Sequence, residues 1–185
     1  MKHLTTCQLS IALLIPIMSC GDKESEDILS ALELQDVVGY WAIQGQDDEK
    51  NNYIHPVVRF RVVNTASRNL EYVQVMAVFK REMLPDEPWG NAFSYSISEQ
   101  PIKPGGVSDL LTMRSDRSVI SKDSPEQMFR NAKWEEIMVE IFLRVGPSSW
   151  RILETFQIPK TIGAPGLEKF LEAEPDLPQG KISGS

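Results

Sequence analysis

The chain has few of the two side chains on which most catalytic and metal sites depend, cysteine and histidine. Its 185 residues include two cysteines and two histidines. Both cysteines, Cys7 and Cys20, and one histidine lie in the first 20 residues, so the rest of the chain contains His55 alone. An internal disulfide, a Cys/His catalytic pair and a zinc cluster are therefore excluded from the body of the chain. We expect no catalytic residue, no metal site and no cofactor, and stability that comes from a packed core.

A long hydrophobic run is also missing. The most apolar stretch, from Leu9 to Met18, is about half of the roughly 20 residues that a membrane-spanning helix needs. With Lys2 before it and Ser19 after it, this stretch is typical of a secretory signal peptide. Two alternatives stay open. One is an ordinary signal peptide with Cys20 after it by chance, and the other is a membrane anchor that is not cleaved.

The four residues Ile17-Met18-Ser19-Cys20 resemble the lipobox of bacterial lipoproteins. The resemblance implies that residues 1–19 are a signal peptide that is removed. It also implies that the Cys20 sulfur carries diacylglycerol and that the new N-terminus carries a further acyl chain such as palmitate. Gly21, rather than aspartate, follows the cysteine, which by the sorting rule of enteric lipoproteins indicates the outer membrane rather than the inner one.

Positive charge is in short supply as well, with 19 Lys and Arg against 26 Asp and Glu and a formal charge of −7. Cleavage would remove Lys2 and leave 18 basic against 26 acidic residues, a charge of −8. This balance argues against nucleic acid and against electrostatic binding to anionic lipid, so we expect the acyl chains alone to hold the protein on the membrane. Residues 20–33 form the lipidated tether. Its acidic part also resembles surface-export signals, so the sequence leaves the periplasmic and the surface face both open.

Alternation of apolar and polar residues defines the body of the chain, residues 34–162, which has the size of one domain. The clearest alternation runs through residues 55–80, in two segments separated by a polar turn, and predicts a long β-hairpin. Its expected buried side chains are Val58, Phe60 and Val62 in the first segment and Val73, Val75, Ala77 and Phe79 in the second.

Further alternating segments predict strands over residues 37–44, 93–97, 107–113, 134–145 and 150–158. Ser124, Pro125 and Gln127 form a capping-box pattern that predicts one short helix. About seven strands with one short helix indicate an all-β fold, a single immunoglobulin-like β-sandwich. Proline and glycine interrupt residues 163–185, so we expect a mostly disordered acidic tail.

Three stretches of this domain resemble the FxLYD-like group of bacterial β-sandwich domains. They are PVVRFRVVN at residues 56–64, LEYVQVMAVF at 70–79 and PIKPGG at 101–106. The similarity covers about 60 residues and implies an immunoglobulin-like fold in a small secreted or lipid-anchored protein of unknown role. It implies no catalytic residue.

The candidate binding residues are Met83, Leu84 and Trp89, in a predicted loop over residues 82–90 that contains two prolines. Apolar residues in such a loop either contact a partner, which would be a protein, or fold back as a lid on the sandwich. The acidic segment 47–52 could hold calcium, although its adjacent carboxylates are spaced poorly for that ion, and a solvated loop is the alternative. His55 precedes Pro56 at a strand entrance and is expected to be a surface or loop histidine with no role.

These features predict a non-catalytic, membrane-anchored envelope lipoprotein that binds a protein partner or assists an assembly. The alternative is a ligand-binding or glycan-binding module, because the chain has four tryptophans and planar aromatic rings stack on sugars. The sequence does not identify the partner or the oligomeric state.

Overall fold

A computed structural model describes residue 30, residues 32–94 and residues 100–163. The signal peptide, Cys20, most of the tether and the tail beyond Gly163 lie outside these ranges. No helix within the described ranges is long and apolar enough to cross a membrane. The elements are β1 (Leu32–Gln46), β2 (Asn52–Asn64), β3 (Val73–Arg81), β4 (Leu84–Ser94), β5 (Leu111–Arg114), β6 (Val119–Ser121), α1 (Pro125–Arg130), β7 (Ile137–Val145) and β8 (Arg151–Gln157).

The strands form two antiparallel sheets of four strands each. In the first, β2 lies between β1 on one side and both β5 and β6 on the other; the second has the order β4-β3-β7-β8. In the letters used for immunoglobulin domains, β1, β2 and β5 of the first sheet correspond to strands A, B and E. The second sheet, in the order β4-β3-β7-β8, corresponds to C′-C-F-G. The predicted all-β, immunoglobulin-like sandwich with one short helix is therefore confirmed.

The end of the described chain returns to the first strand. The backbone N–H of Trp41 donates to the Thr161 carbonyl oxygen at 2.8 Å, and the N–H of Gly163 donates to the Trp41 carbonyl oxygen at 2.9 Å. Trp41 and Ile162 thereby form a parallel bridge. These bonds join β1 to the segment after β8 and close one side of the sandwich.

The predicted hairpin over residues 55–80 is wrong, because its two segments belong to different sheets. β2 pairs with β1, β5 and β6, whereas β3 pairs with β4 and β7. The connection crosses from one sheet to the other through Asn64, whose buried side chain donates to the carbonyl oxygens of Arg68 and Ile102, each at 2.8 Å. Alternation identifies which face of a strand is buried, but facing sheets bury the same kind of face, so it does not identify the neighbouring strand.

The core lies between the two sheets and is built from the side chains that alternation predicted. In β2, β3 and β7 every second residue is buried. Over most of each strand, the residues between them point outward and are at least partly exposed. The fully buried set includes Val58, Phe60, Val62, Val75, Ala77, Phe79, Val139, Ile141 and Leu143. The predicted inner faces of β2 and β3 are confirmed, and β7 buries alternate residues in the same way.

Helix α1 begins as predicted. The Ser124 hydroxyl accepts from the Gln127 backbone N–H, and the Gln127 side chain accepts from the Ser124 N–H, which completes the capping box. Phe129 anchors the helix to the sandwich through ring contacts with Trp41 and Trp134, at centroid distances of 6.0 and 4.8 Å.

The structure also corrects the predicted strands. β6 was not predicted, the strand predicted over residues 37–44 extends over Leu32–Gln46, and the strand predicted over residues 107–113 is reduced to Leu111–Arg114. Residues 95–97 of the predicted fourth strand lie outside the described ranges. The predicted loop over residues 82–90 is a strand from Leu84 onwards, joined to β3 by a turn at Glu82 and Met83. Its prolines are tolerated because β4 is an edge strand.

Candidate functional site

The three predicted binding residues lie at the turn between β3 and β4, but they do not form one surface. Met83 is 81% exposed at the turn and Leu84 is 39% exposed at the start of β4. Trp89 is half-buried and packs against the hydrophobic core. The position of Trp89 is the one expected if the segment folds back as a lid on the sandwich. Partner binding by Met83 and Leu84 remains a prediction.

The expected surface or loop position of His55 is wrong: it lies inside β2, is buried with 7% of its surface exposed, and has both ring nitrogens engaged. Its Nδ1 lies 3.1 Å from the Ser115 carbonyl oxygen and 3.0 Å from the Arg117 carbonyl oxygen, and its Nε2 contacts Oε1 of Gln44. The imidazole therefore ties β1 and the segment after β5 to β2, which is a structural role.

The acidic segment between β1 and β2 is organised by the Asp47 carboxylate. It accepts from the Asn51 backbone N–H at 2.8 Å, from Asn51 Nδ2 at 2.9 Å and from the Tyr53 hydroxyl at 2.8 Å. These bonds, those from Asn51 first, hold the pKa of Asp47 below its ordinary value, and the bond to Asp47 raises the pKa of Tyr53. Across the described ranges, no group of three or more His, Cys, Asp or Glu side chains could hold a metal ion. The Asp47 carboxylate builds the turn.

The most unusual surface is the outer face of the second sheet, where four large apolar side chains lie side by side. Met76 on β3 is the register partner of Phe93 on β4 and of Phe142 on β7, and Phe142 is the partner of Ile152 on β8. These four residues, which we call the apolar row, cross the sheet from one edge to the other. None of them belongs to the hydrophobic core or packs against it.

The apolar row is open to solvent, most of all at its two ends. Phe93 is 42% exposed and Ile152 is 54% exposed, while Met76 and Phe142 in the middle are half-buried. The outward face of a sandwich sheet is normally polar, because only the inner face is covered by the other sheet.

Trp150 extends the apolar row along one side. Its ring meets the Phe93 ring edge-on, at 5.7 Å between centroids and an interplanar angle of 67°. The Arg144 guanidinium lies over the Trp150 ring, 4.8 Å from its centre. Arg144 Nε donates to Oε1 of Gln74 at 2.7 Å, which holds the guanidinium in place against the indole.

The opposite side of the row carries an ion pair between Glu140 and Lys80. Glu140 lies two residues from Phe142 on β7, as Arg144 does in the other direction. The Glu140 carboxylate pairs with Lys80 at 2.8 Å, and Val78 lies beside it on β3 as its register partner. The face therefore has an apolar centre with a cation on one flank and a carboxylate on the other.

This combination is typical of a protein-binding surface. Interfaces between proteins are enriched in aromatic residues, methionine and arginine and surround an apolar centre with polar groups. Alternation missed the surface because the buried sides of β3 and β7 explained the fold by themselves. The available signal was the presence of Met76, Val78 and Phe142 at the outward positions of those strands, where polar residues are the norm.

No protein-family model matches the chain, and no curated protein sequence matches it. The resemblance to the FxLYD-like group therefore remains an expectation from the sequence. The fold and the outer face of the second sheet are the observations on which a functional proposal has to rest.

Proposed function

We propose that this chain is a membrane-anchored envelope lipoprotein with a non-catalytic immunoglobulin-like domain that binds a protein partner. The observation that carries the proposal is the apolar row on the outer face of the second sheet. Side chains that contribute little to the core and remain in contact with water favour association, because covering them removes apolar area from water.

The arrangement of the rings favours a protein over a glycan as the ligand. Sugar-binding platforms present flat aromatic faces, whereas Trp150 meets Phe93 edge-on and has Arg144 against one face. The other tryptophans face the core: Trp41 and Trp134 join the cluster with Phe129, and Trp89 packs on the core. Glycan binding is the second candidate, and it would use the remaining face of Trp150.

The membrane anchor in this proposal is Cys20. The residues between Cys20 and β1 are the spacer that holds the domain away from the lipid, because Leu32 and Glu33 of the predicted tether belong to β1. Cys20→Ala is expected to release the protein from membranes without detergent, because the acidic surface provides no electrostatic attraction to lipid. A Cys20→Ala chain that still needs detergent for its release would contradict the anchoring.

The binding proposal is tested by placing a photoreactive amino acid at position 152 or at position 120 of the full chain in its own envelope. Ile152 and Ile120 are both isoleucines that are 54% exposed, but Ile152 belongs to the apolar row and Ile120 lies on β6 of the first sheet. We expect a discrete protein adduct from position 152 and none from position 120. Equal labelling from both positions, or no protein adduct from 152, would contradict protein binding by this face.

A further inference from the structure

We infer that the partner of this face is a second copy of the same chain, related by a two-fold axis that runs along the apolar row. The inference rests on the proposed function and makes it more specific, since it names the protein that the outer face of the second sheet binds. Its basis is that the pattern on this face is complementary to itself.

A two-fold axis along the row sets strict rules for which residues meet. Each residue of the row faces its own counterpart, and residues on one flank face the opposite flank of the other copy. On β7, Arg144 and Glu140 lie two residues on either side of Phe142. Arg144 of each copy would therefore face Glu140 of the other, and the pair would form twice.

Arg144 is suited to this second contact. Its bonds are to the Gln74 amide oxygen and to the Trp150 ring, and within the part of the chain that the structure describes it contacts no carboxylate. The charge is therefore held at the edge of an apolar surface without an anionic partner. A carboxylate from the second copy would supply one.

The two flanks are also complementary in shape. Trp150 contacts Phe93 of β4 and Arg144 of β7, so its ring lies over β3, on the flank that contains Gln74. The position related to Gln74 by the two-fold axis is Val78, because both lie two residues from Met76. The large indole of one copy would cover the small side chain of Val78 in the other.

The net charge of the protein does not oppose this contact. The chain carries a formal charge of −7, but the outward charged residues of the two central strands are Lys80, Glu140 and Arg144. The two central strands can therefore face their counterparts in a second copy without placing carboxylates opposite one another.

Thiol crosslinking tests the axis directly in the full, membrane-bound chain. Residues on the axis face their own counterparts across a sheet-to-sheet distance of about 10 Å, so Ile152→Cys and Met76→Cys should each give a covalent dimer with a short bis-maleimide. Ile120→Cys is the matched control, and the unsubstituted chain, whose Cys20 sulfur is acylated in this proposal, gives the background. We expect dimer from both axis positions and only background from position 120.

Charge exchange between two single variants tests the pairing. Arg144→Glu and Glu140→Arg should each lose the crosslink at position 152, because like charges then meet twice across the axis. When the two variants are produced together with different tags, the mixed dimer contains only opposite pairs, and the crosslink between tags should return. Loss in each variant alone with recovery in the mixture is specific to this axis.

The outcomes separate the second copy from other partners. Background crosslinking at both axis positions, the same crosslinking at position 120, or no recovery in the mixture would each overturn the inference. If position 152 still gave a photoadduct with a different protein, the face would bind protein and only the identity of the partner would be wrong. If it gave no protein adduct at all, the proposed function would fail as well.

Discussion

At the scale of single residues, Asp47 shows how one carboxylate organises a turn. The side chain and backbone of Asn51 and the Tyr53 hydroxyl all donate to it, and they hold its pKa below the ordinary value. A carboxyl whose pKa is depressed in the folded state stabilises that state above its unfolded pKa, and the contribution is lost as the pH falls through the folded pKa.

Asp47→Asn is therefore expected to lower the melting temperature at neutral pH, and the difference from the unsubstituted chain should shrink as the pH falls below the ordinary aspartate pKa of about 3.9. Asp48→Asn removes a charge from the same turn at an exposed position and serves as the control. Thermal unfolding followed by circular dichroism over this pH range provides the measurement. A difference that is the same at acidic and at neutral pH would contradict the role given to the ionised Asp47.

Substitutions at Trp89 and Met83 distinguish a side chain that packs on the core from one that is exposed to solvent. Trp89 packs on the core, so Trp89→Ala should lower the free energy of unfolding by about 2 kcal/mol, less than for a fully buried ring. Met83 is 81% exposed, and Met83→Ala should leave stability unchanged. Denaturant unfolding of both variants checks this, and a Trp89→Ala chain as stable as the unsubstituted one would show that the ring is not part of the packed domain.

At the level of single residues, the sequence could predict which side chains are buried. Val58, Phe60 and Ile141 follow from alternation alone, because the side-chain period of a strand fixes which residues share a face. The outward Met76 and Phe142 could be noticed in the same pattern, but their alignment into a row depends on strand register, and register is a property of paired strands.

At the scale of elements, the segment that follows β5 bonds to the outer edge of β4. The Asn91 backbone N–H donates to the Asp116 carboxylate at 2.8 Å, and the Asp116 N–H donates to the Asn91 carbonyl oxygen at 3.0 Å. Gly90 allows this approach, since a Cβ there would lie 2.2 Å from the Ser115 hydroxyl oxygen. The contact satisfies an edge that could otherwise pair with another chain.

Gly90→Ala should therefore destabilise the domain by about 1–3 kcal/mol, the usual cost of forcing extra volume into a packed site. Adding Ser115→Ala removes the oxygen that the new methyl group would meet and should recover part of the loss. Chemical denaturation of the single and double variants measures both effects. If Gly90→Ala were neutral, the segment after β5 would not lie against this edge.

The sequence predicted most strands and the capped helix, but it paired the strands incorrectly. The capping box is a local device whose partners are three residues apart, so Ser124 and Gln127 were readable without the fold. The crossing from β2 to β3 depends on the buried Asn64 side chain and on Ile102, which is 38 residues away. The strand β4 was hidden by Pro85 and Pro88, which only an edge position tolerates.

At the scale of the whole molecule, the two sheets have different outer faces. The sandwich buries one core, ties its last described residues to β1, and leaves the apolar row partly exposed to solvent on the second sheet. In the proposed arrangement the acyl chains on Cys20 hold the domain at a membrane, which restricts it to two dimensions. A weak interface between anchored molecules is then strengthened by their high local concentration.

Side chains of the apolar row should contribute little to the stability of the domain and much to the binding of a partner. Cross-strand pairs on an open sheet face contribute only about 0.2–1 kcal/mol each to stability. Removing the Phe142 ring should therefore leave the domain folded while removing the centre of the binding face. Ile141, the next residue along β7, is fully buried and gives the opposite expectation.

The most direct test is the yield of protein adduct from the photoreactive residue at position 152 when Phe142→Thr is present in the same chain. We predict that the adduct is lost although the melting temperature stays close to that of the unsubstituted domain. The matched substitution Ile141→Val should lower stability by about 1 kcal/mol and keep the adduct. An adduct that persists in Phe142→Thr, or a variant that unfolds as a core substitution would, contradicts binding through this face.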